Sequence, residues 1–186
     1  MNLCVAAQEE MLVMKKLNVH AMTTISLLIA LMVILSQVFG FETQLIKITF
    51  DFIPEVVMAS LFGPFWTGVG ASIADIIGNT LLGKAPFFIG FTLNAFIGGW
   101  VYGFFFYKKS VTLKNAFFCV LVNTLVISLF LTPLWLSIMY GIPFTDEKLW
   151  AIRLMKAAVM LPIQTILIFF FGNAIPIRVI GKRFVS

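Results

Sequence analysis

The feature that most limits what this chain can become is a succession of apolar runs, each about as long as a bilayer is thick. Short clusters of Lys, Arg, Gly and Pro separate them. A helix that crosses a membrane needs ~20 mostly apolar residues. Uniform runs of that length read as membrane helices rather than as buried segments of a water-soluble core. Composition agrees: 61% of the residues are hydrophobic and 11% charged, against about 25% charged in an average soluble domain. A surface built from so few polar groups requires lipid as its solvent.

The first predicted span covers residues 20–39. The second, about 46–62, is short and carries Lys47, Asp51, Pro54 and Glu55. Gly63-Pro64 then breaks the chain, and a third span covers 65–82. The fourth runs from 88 to 107 and ends at Lys108-Lys109. The fifth covers about 113–140, with the following GIPFT as loop, and the sixth begins near Trp150 and ends before Arg178. The expected fold is an all-α integral membrane protein, a six-transmembrane-helix bundle in one domain. Residues 1–19 form an N-terminal segment, 20–178 the membrane domain and 179–186 a C-terminal tail. The run after Lys15-Lys16 has no clear small-x-small cleavage site, so it reads as a retained first span.

Six spans put both termini on one side. Lys15, Lys16, Lys108, Lys109, Lys114, Arg178, Lys182 and Arg183 make eight basic residues there, against five on the other side: Lys47, Lys84, Lys148, Arg153 and Lys156. The excess of positive charge marks the cytoplasmic face, so both termini are expected in the cytoplasm. The net charge of +5 is thereby explained by loops flanking spans. No stretch interleaves basic and aromatic residues as a nucleic-acid groove does, so nucleic acid is not an expected partner.

One stretch, GNTLLGKA, imitates a phosphate-binding loop through Gly78, Gly83 and Lys84. Ala85 stands where the motif needs a hydroxyl for magnesium, and no strand precedes it. It reads as the outer end of the third helix with its loop, facing away from cytoplasmic ATP. Cys4 and Cys119 lie too far apart in character, one near the start and one in a span, to suggest a disulfide. With a single His, a zinc site has no support.

Small residues recur at spacing four: Ser26 and Ala30; Gly70, Ala74 and Gly78; Ala95, Gly99 and Gly103. Such rows let helices approach closely in lipid. Packing within the bundle accounts for the second and third rows. Docking on another membrane protein suits the first best, since the rest of that helix is Leu, Ile, Met and Val.

Charged groups inside spans are costly and face cavities or partners. Asp51 and Glu55 share a helix face, where helix capping is an equal alternative. Asp75 lies deeper and reads as a helix-to-helix hydrogen bond. Arg153 and Lys156 sit on one side of the sixth helix, with Lys84 in an outer loop. They could snorkel to headgroups or form an anion site. Asn79 and Asn94 offer amides that pair with both donors and acceptors of a heterocycle. Phe87, Phe88 and Trp150 could stack on a flat ring. Trp150 with Tyr140, and Trp66 with Tyr107, also suit interfacial belts. Asn123 and Gln164 read as helix-to-helix contacts. The candidate ligand-binding set is therefore Asp51, Asn79, Lys84, Phe87, Phe88, Asn94, Trp150, Arg153 and Lys156, gathered toward the outer half.

The stretch FDFIPEVVMASLFGPFWTGVGASIADIIGNTLLG, followed by FFIGFTLNAFIGGWVYGFFFYKK, resembles the substrate-binding S-components of energy-coupling factor vitamin transporters, and the folate-specific branch in particular. The shared elements are the F-x-F-I-P opening of the second helix, L-F-G-P at the turn, A-D-x-x-G-N in the third helix, the G-F-T-L-N-A start of the fourth and its Lys-Lys end. The resemblance spans about residues 20–180. It implies a multi-pass protein of a bacterial cell membrane that binds its vitamin from outside, in a pocket closed by the loops after helices one, three and five. It also implies association with a transmembrane coupling subunit and two cytoplasmic ATPases, with a toppling motion releasing the vitamin inside. Ser26 and Ala30 are the nearest equivalent of the family's A-x-x-x-A docking row. No cofactor is implied. A pterin suits Asn, Asp or Glu with Phe or Trp, and the folate glutamate tail suits Arg153, Lys156 or Lys84. Three alternatives stay open: an S-component for pantothenate or a thiamin precursor, a structural membrane subunit, and a small intramembrane enzyme enlisting Asp51, Glu55 and Asp75. The last lacks a Ser/His/Asp set, a metal cluster or a carboxylate pair with His.

Overall fold

The computed structural model describes residues 19–42, 47–81, 87–141 and 147–174. Helix α1 is Val19–Gln37. A two-residue antiparallel pair follows, β1 (Phe41–Glu42) with β2 (Lys47–Ile48). Helix α2 is Phe52–Leu81 and α3 is Ile89–Phe106. The fifth predicted span appears as α4 (Leu113–Asn123), a π-helical stretch (Thr124–Leu131) and α5 (Thr132–Tyr140). Helix α6 is Glu147–Ala174. Among the described residues five segments are long and apolar enough to cross a membrane: Val19–Gln37, Phe52–Leu81, Ile89–Phe106, Leu113–Tyr140 and Trp150–Asn173.

The expected second and third spans share the range Phe52–Leu81 and are parted at Gly63, as expected, where φ is 82° and ψ is −178°. That backbone region is essentially restricted to glycine, and Pro64 further bars its predecessor from the α conformation. In an unbroken helix Met58 and Gly70 would stand ~18 Å apart along the axis. Instead the Met58 Sδ lies 2.8 Å from where a Cβ on Gly70 would be. The chain folds back at Gly63, giving limbs 52–62 and 64–81 that lie side by side. The first limb starts later than expected: Lys47–Ile48 is in the strand pair, and the helix begins only at Phe52.

This short limb is the centre of the bundle. Its Phe52, Val56 and Ala59 pack with Val101, Phe106, Ala116, Val120 and Ile168 from α3, α4 and α6. Its opposite side, Val57, Met58 and Phe62, packs with Leu28, Met32 and Val33 of α1 and Ala74 of the second limb. A helix that is apolar all round is one buried all round. By contrast α1, α4 with the π-helical stretch, and α6 carry one outward apolar face, including Leu27, Leu31, Phe118, Val126, Ile166 and Phe170, which lipid covers.

The glycine rows do what close packing requires. A Cβ on Gly99 would lie 2.7 Å from the Thr67 carbonyl oxygen, and one on Gly103 would overlap Pro64. Helix α3 therefore rests backbone-to-backbone on the second limb of α2, and this is the bundle's most extensive helix pair. Gly70 and Gly78 receive Met58 and Gln37 in the same way. Ser26 and Ala30 lie on the exposed face of α1. Trp66 is half-buried. It packs against the α1 cluster, and its Nε1 is buried without a hydrogen-bond partner among the described residues.

Candidate functional site

The bundle encloses a cavity of about 300 Å³. Each wall is set by a feature already described. The first limb of α2 is short, so Asp51 and Glu55 at its start are carried inside the bundle. The fold-back at Gly63 brings Asp75 and Asn79, on the second limb, to the same end. Helix α3 supplies Asn94, the bare backbone of Gly98, and Tyr102. The π-helical stretch and its neighbours supply Asn123, Ser128 and Thr132. Helix α6 completes the wall with Arg153, Lys156 and Gln164.

Two hydrogen-bond networks hold the polar groups in place. In the first, Asp75 accepts through both oxygens: Oδ1 from Asn79 Nδ2 at 2.7 Å and Oδ2 from Thr92 Oγ1 at 2.9 Å. Gln37 Nε2 reaches Asn79 Oδ1 at 3.4 Å. One carboxylate thereby ties α1, α2 and α3 together at the cavity wall. Asp75→Ala would leave the Asn79 Nδ2 and Thr92 Oγ1 donors without their acceptor. We expect it to lower thermal stability by about 1–3 kcal/mol, the cost of a buried polar group left unsatisfied, read by size-exclusion chromatography after heating in detergent.

In the second network Trp135 Nε1 donates to Asn94 Oδ1 at 3.0 Å, and Asn94 Nδ2 donates to Thr132 Oγ1 at 3.4 Å. Thr132 Oγ1 in turn donates to the Ile127 carbonyl at 2.7 Å, which also accepts the Thr132 N–H. At the start of α2, Thr49 Oγ1 donates to Asp51 Oδ1 at 2.6 Å.

Two groups in this cavity have capacity left over. Arg153 is only 4% exposed, yet it makes no hydrogen bond or ion pair among the described residues. A buried guanidinium facing a cavity is a site for a negatively charged ligand group. The Asn123 Oδ1 is buried without a hydrogen-bond partner among the described residues, so it is open to a ligand N–H. No group of three or more His, Cys, Asp or Glu among the described residues is placed to hold a metal ion.

Of the nine candidate residues, the cavity brings together Asp51, Asn79, Phe88, Asn94, Arg153 and Lys156. Phe87 and Trp150 are not in its lining, and Lys84 lies outside the described residues. Phe87 is exposed; the ring facing the cavity beside Phe88 is Phe91, at a centroid distance of 5.9 Å. Asn123 and Gln164, expected as helix-to-helix contacts, face the cavity, as does Glu55. Tyr102 and Trp135 were missed altogether. Tyr102 forms part of the cavity wall, and Trp135 stands behind Asn94. The spacing of Asn94, Gly98 and Tyr102 along one face of α3 was the available signal for Tyr102.

A bundle of membrane-crossing helices that closes around a cavity lined by acids, amides and a buried cation is a membrane-embedded receptor for a small polar ligand. Within that class the chain belongs to the substrate-specific components of ECF transporters, whose family model matches residues 20–180. It is 35% identical over 156 residues to the folate transporter FolT of Clostridium novyi, covering 84% of this chain and 88% of that one. It is 34% identical over 136 residues to the folate transporter FolT of Streptococcus mutans, covering 69% of this chain and 73% of that one. A crystal structure of FolT bound with folic acid superposes with a TM-score of 0.81 at 42% identity, covering 85% of this chain and 95% of the other.

Proposed function

We propose that this chain is the folate-binding component of an ECF transporter. The observation that carries the reading is the buried Arg153, without a partner among the described residues, in a cavity that also holds carboxylates and amides. Folate has the complementary parts. Its glutamate tail carries two negative charges near neutral pH, which suit Arg153 and Lys156. Its pterin offers N–H donors to Asp51, Glu55 or Asn123 and a flat face to Phe88 and Phe91. A cavity of about 300 Å³ stands at the lower end of the range for small-molecule sites.

The fold-back at Gly63 supports counting the two limbs of α2 separately, which gives six spans and puts both termini on one side. The excess of Lys and Arg on that side supports a cytoplasmic location, with residues 1–19 and 179–186 as cytoplasmic ends. The cavity then opens outward. Family membership supports partnership with a transmembrane coupling subunit and two ATPases, which supply the energy for a toppling motion. The outward placement of Ser26 and Ala30 on α1 suits a docking row. Phe87 and Trp150 are retained only as residues of the cavity's mouth.

Titration of folic acid into the detergent-purified chain is expected to give saturable binding at one site by calorimetry, undisturbed by excess pantothenate or thiamin. Binding of one of those vitamins with none of folic acid would replace folate by that ligand. Uptake of folate driven by this chain alone would overturn the division of labour.

A further inference from the structure

We infer that Trp135, which is not in the cavity lining, is a positioning residue that locks the Asn94 amide in one orientation and thereby sets which edge of a heterocycle the cavity accepts. The inference rests on the folate reading above. An asparagine amide is nearly symmetrical in shape and opposite in chemistry at its two ends. Left to itself it can turn over and serve a donor–acceptor edge or its inverse. Asn94 cannot do this freely. Its Oδ1 is claimed by the Trp135 indole N–H at 3.0 Å, and its Nδ2 by Thr132 Oγ1 at 3.4 Å. The Thr132 hydroxyl proton is directed at the Ile127 carbonyl at 2.7 Å, so in this arrangement Thr132 accepts from Asn94.

Turning the amide over would set Nδ2 against the indole N–H, a clash no rotation relieves, whereas the Thr132 hydroxyl could turn to donate to Oδ1. The indole is therefore the lock. The direction of the whole chain, from Trp135 through Asn94 and Thr132 to Ile127, is thus dictated by a group that can only donate at one end and a carbonyl that can only accept at the other. What remains free on Asn94, which is 7% exposed and lines the cavity, is one N–H and one lone pair in a fixed order.

The indole is held as firmly as the amide it controls. It packs against Gly90, where a Cβ would stand 2.6 Å from Trp135 Cδ2, and its ring is 5.9 Å from that of Phe88. The π-helical turn places Ile127 and Thr132 in register for the last bond, since Ile127 accepts the Thr132 N–H five residues on.

Folic acid and its 2,4-diamino analogue aminopterin discriminate the two orientations. The lactam edge of folic acid presents an N–H beside a carbonyl. In aminopterin the same two positions are a bare ring nitrogen and an amino group, the inverse order. A locked amide accepts one and rejects the other, whereas a free amide turns to suit either. Trp135→Phe keeps an aromatic ring beside Phe88 and removes the N–H together with the five-membered ring that carries it. We expect it to weaken folic acid by about 10-fold while leaving aminopterin unchanged or tighter, so that the ratio of the two dissociation constants falls at least 10-fold. Gly90→Ala, whose Cβ would meet both the Phe88 and the Trp135 rings, is expected to shift the ratio in the same direction, since any effect through Phe88 falls on both ligands alike. It keeps the test open if Trp135→Phe does not fold. Equal weakening of both ligands would show that Trp135 merely supports the fold, and an unchanged ratio would show that Asn94 does not read this edge. Either result overturns the inference and leaves the folate reading standing. Failure of the unaltered chain to bind folic acid overturns both.

Discussion

Arg153→Ala is expected to weaken folic acid binding by about 100-fold or more, and to weaken pteroate, which lacks the glutamate tail, by far less. The argument starts from burial. Arg153 is 4% exposed and has no hydrogen bond or ion pair among the described residues. A charge taken out of water without a partner costs several kcal/mol, and a fold tolerates that cost where a ligand supplies the missing anion. Removing one member of a buried, hydrogen-bonded charge pair typically costs 2–5 kcal/mol, and each ~1.4 kcal/mol is a factor of ten in affinity. A 100-fold loss therefore corresponds to ~3 kcal/mol. The ligand-free variant should be at least as stable as the parent, because an uncompensated buried charge has been removed. Calorimetry with the two ligands checks the affinity, and thermal unfolding without ligand checks the second part. Equal loss for folic acid and pteroate would move the tail away from Arg153. Arg153→Lys is expected to recover only part of the affinity, since an ammonium lacks the planar fork that holds a carboxylate at two points.

The contrast between what the residues announced and what only the fold shows lies in helical azimuth. Apolar length is additive along the chain, so spans 20–39, 88–107 and 113–140 could be read to within a few residues of Val19–Gln37, Ile89–Phe106 and Leu113–Tyr140. The break at Gly63-Pro64 was equally legible, because both residues act locally on the backbone. Which way a side chain points is harder to read when nearly every position is apolar, since no polar stripe marks the face. Asn123 and Gln164 were recognised as mid-span amides but given to neighbouring helices. Depth alone does not distinguish a helix contact from a cavity wall. The π-helical stretch adds to the difficulty: one extra residue per turn rotates all that follows by ~100° relative to an ideal helix. Trp135 lies beyond that rotation and 41 positions from Asn94 in the chain, so nothing in local sequence links them. Arg153 and Lys156 were legible because charge within a span is itself the signal. Phe87 and Trp150 were chosen by nearness in sequence to such groups, a criterion that ignores which face of the chain they occupy.

The last expectation concerns two glycines that look alike in sequence and differ in what the backbone asks of them. Both have positive φ: 82° at Gly63 and 65° at Gly141. Gly141 ends α5 in the ordinary left-handed conformation, with ψ at 18°, and a Cβ there would meet nothing within 4 Å. Gly141→Ala should therefore cost about 1 kcal/mol, the usual penalty for a side chain in that region. Gly63 has ψ at −178°, a region closed to residues with a Cβ at ordinary cost, where strain reaches ~1–3 kcal/mol. A Cβ there would also press on the Tyr107 ring at 3.3 Å. More follows from position than from strain. Gly63 is the point at which the first limb of α2 turns back beside the second, and Gly103 packs directly on Gly63-Pro64 from α3. Opening this turn would separate Asp51 and Glu55 from Asp75 and Asn79, so the two sides of the cavity would part. Gly63→Ala is thus expected to lose both thermal stability and folic acid binding, while Gly141→Ala loses a little of the first and none of the second. Melting curves of the purified variants, each with and without folic acid, separate the cases. If Gly63→Ala binds folic acid as tightly as the parent, the fold-back does not set the cavity's shape, and the placement of the first limb beside the second must be reconsidered.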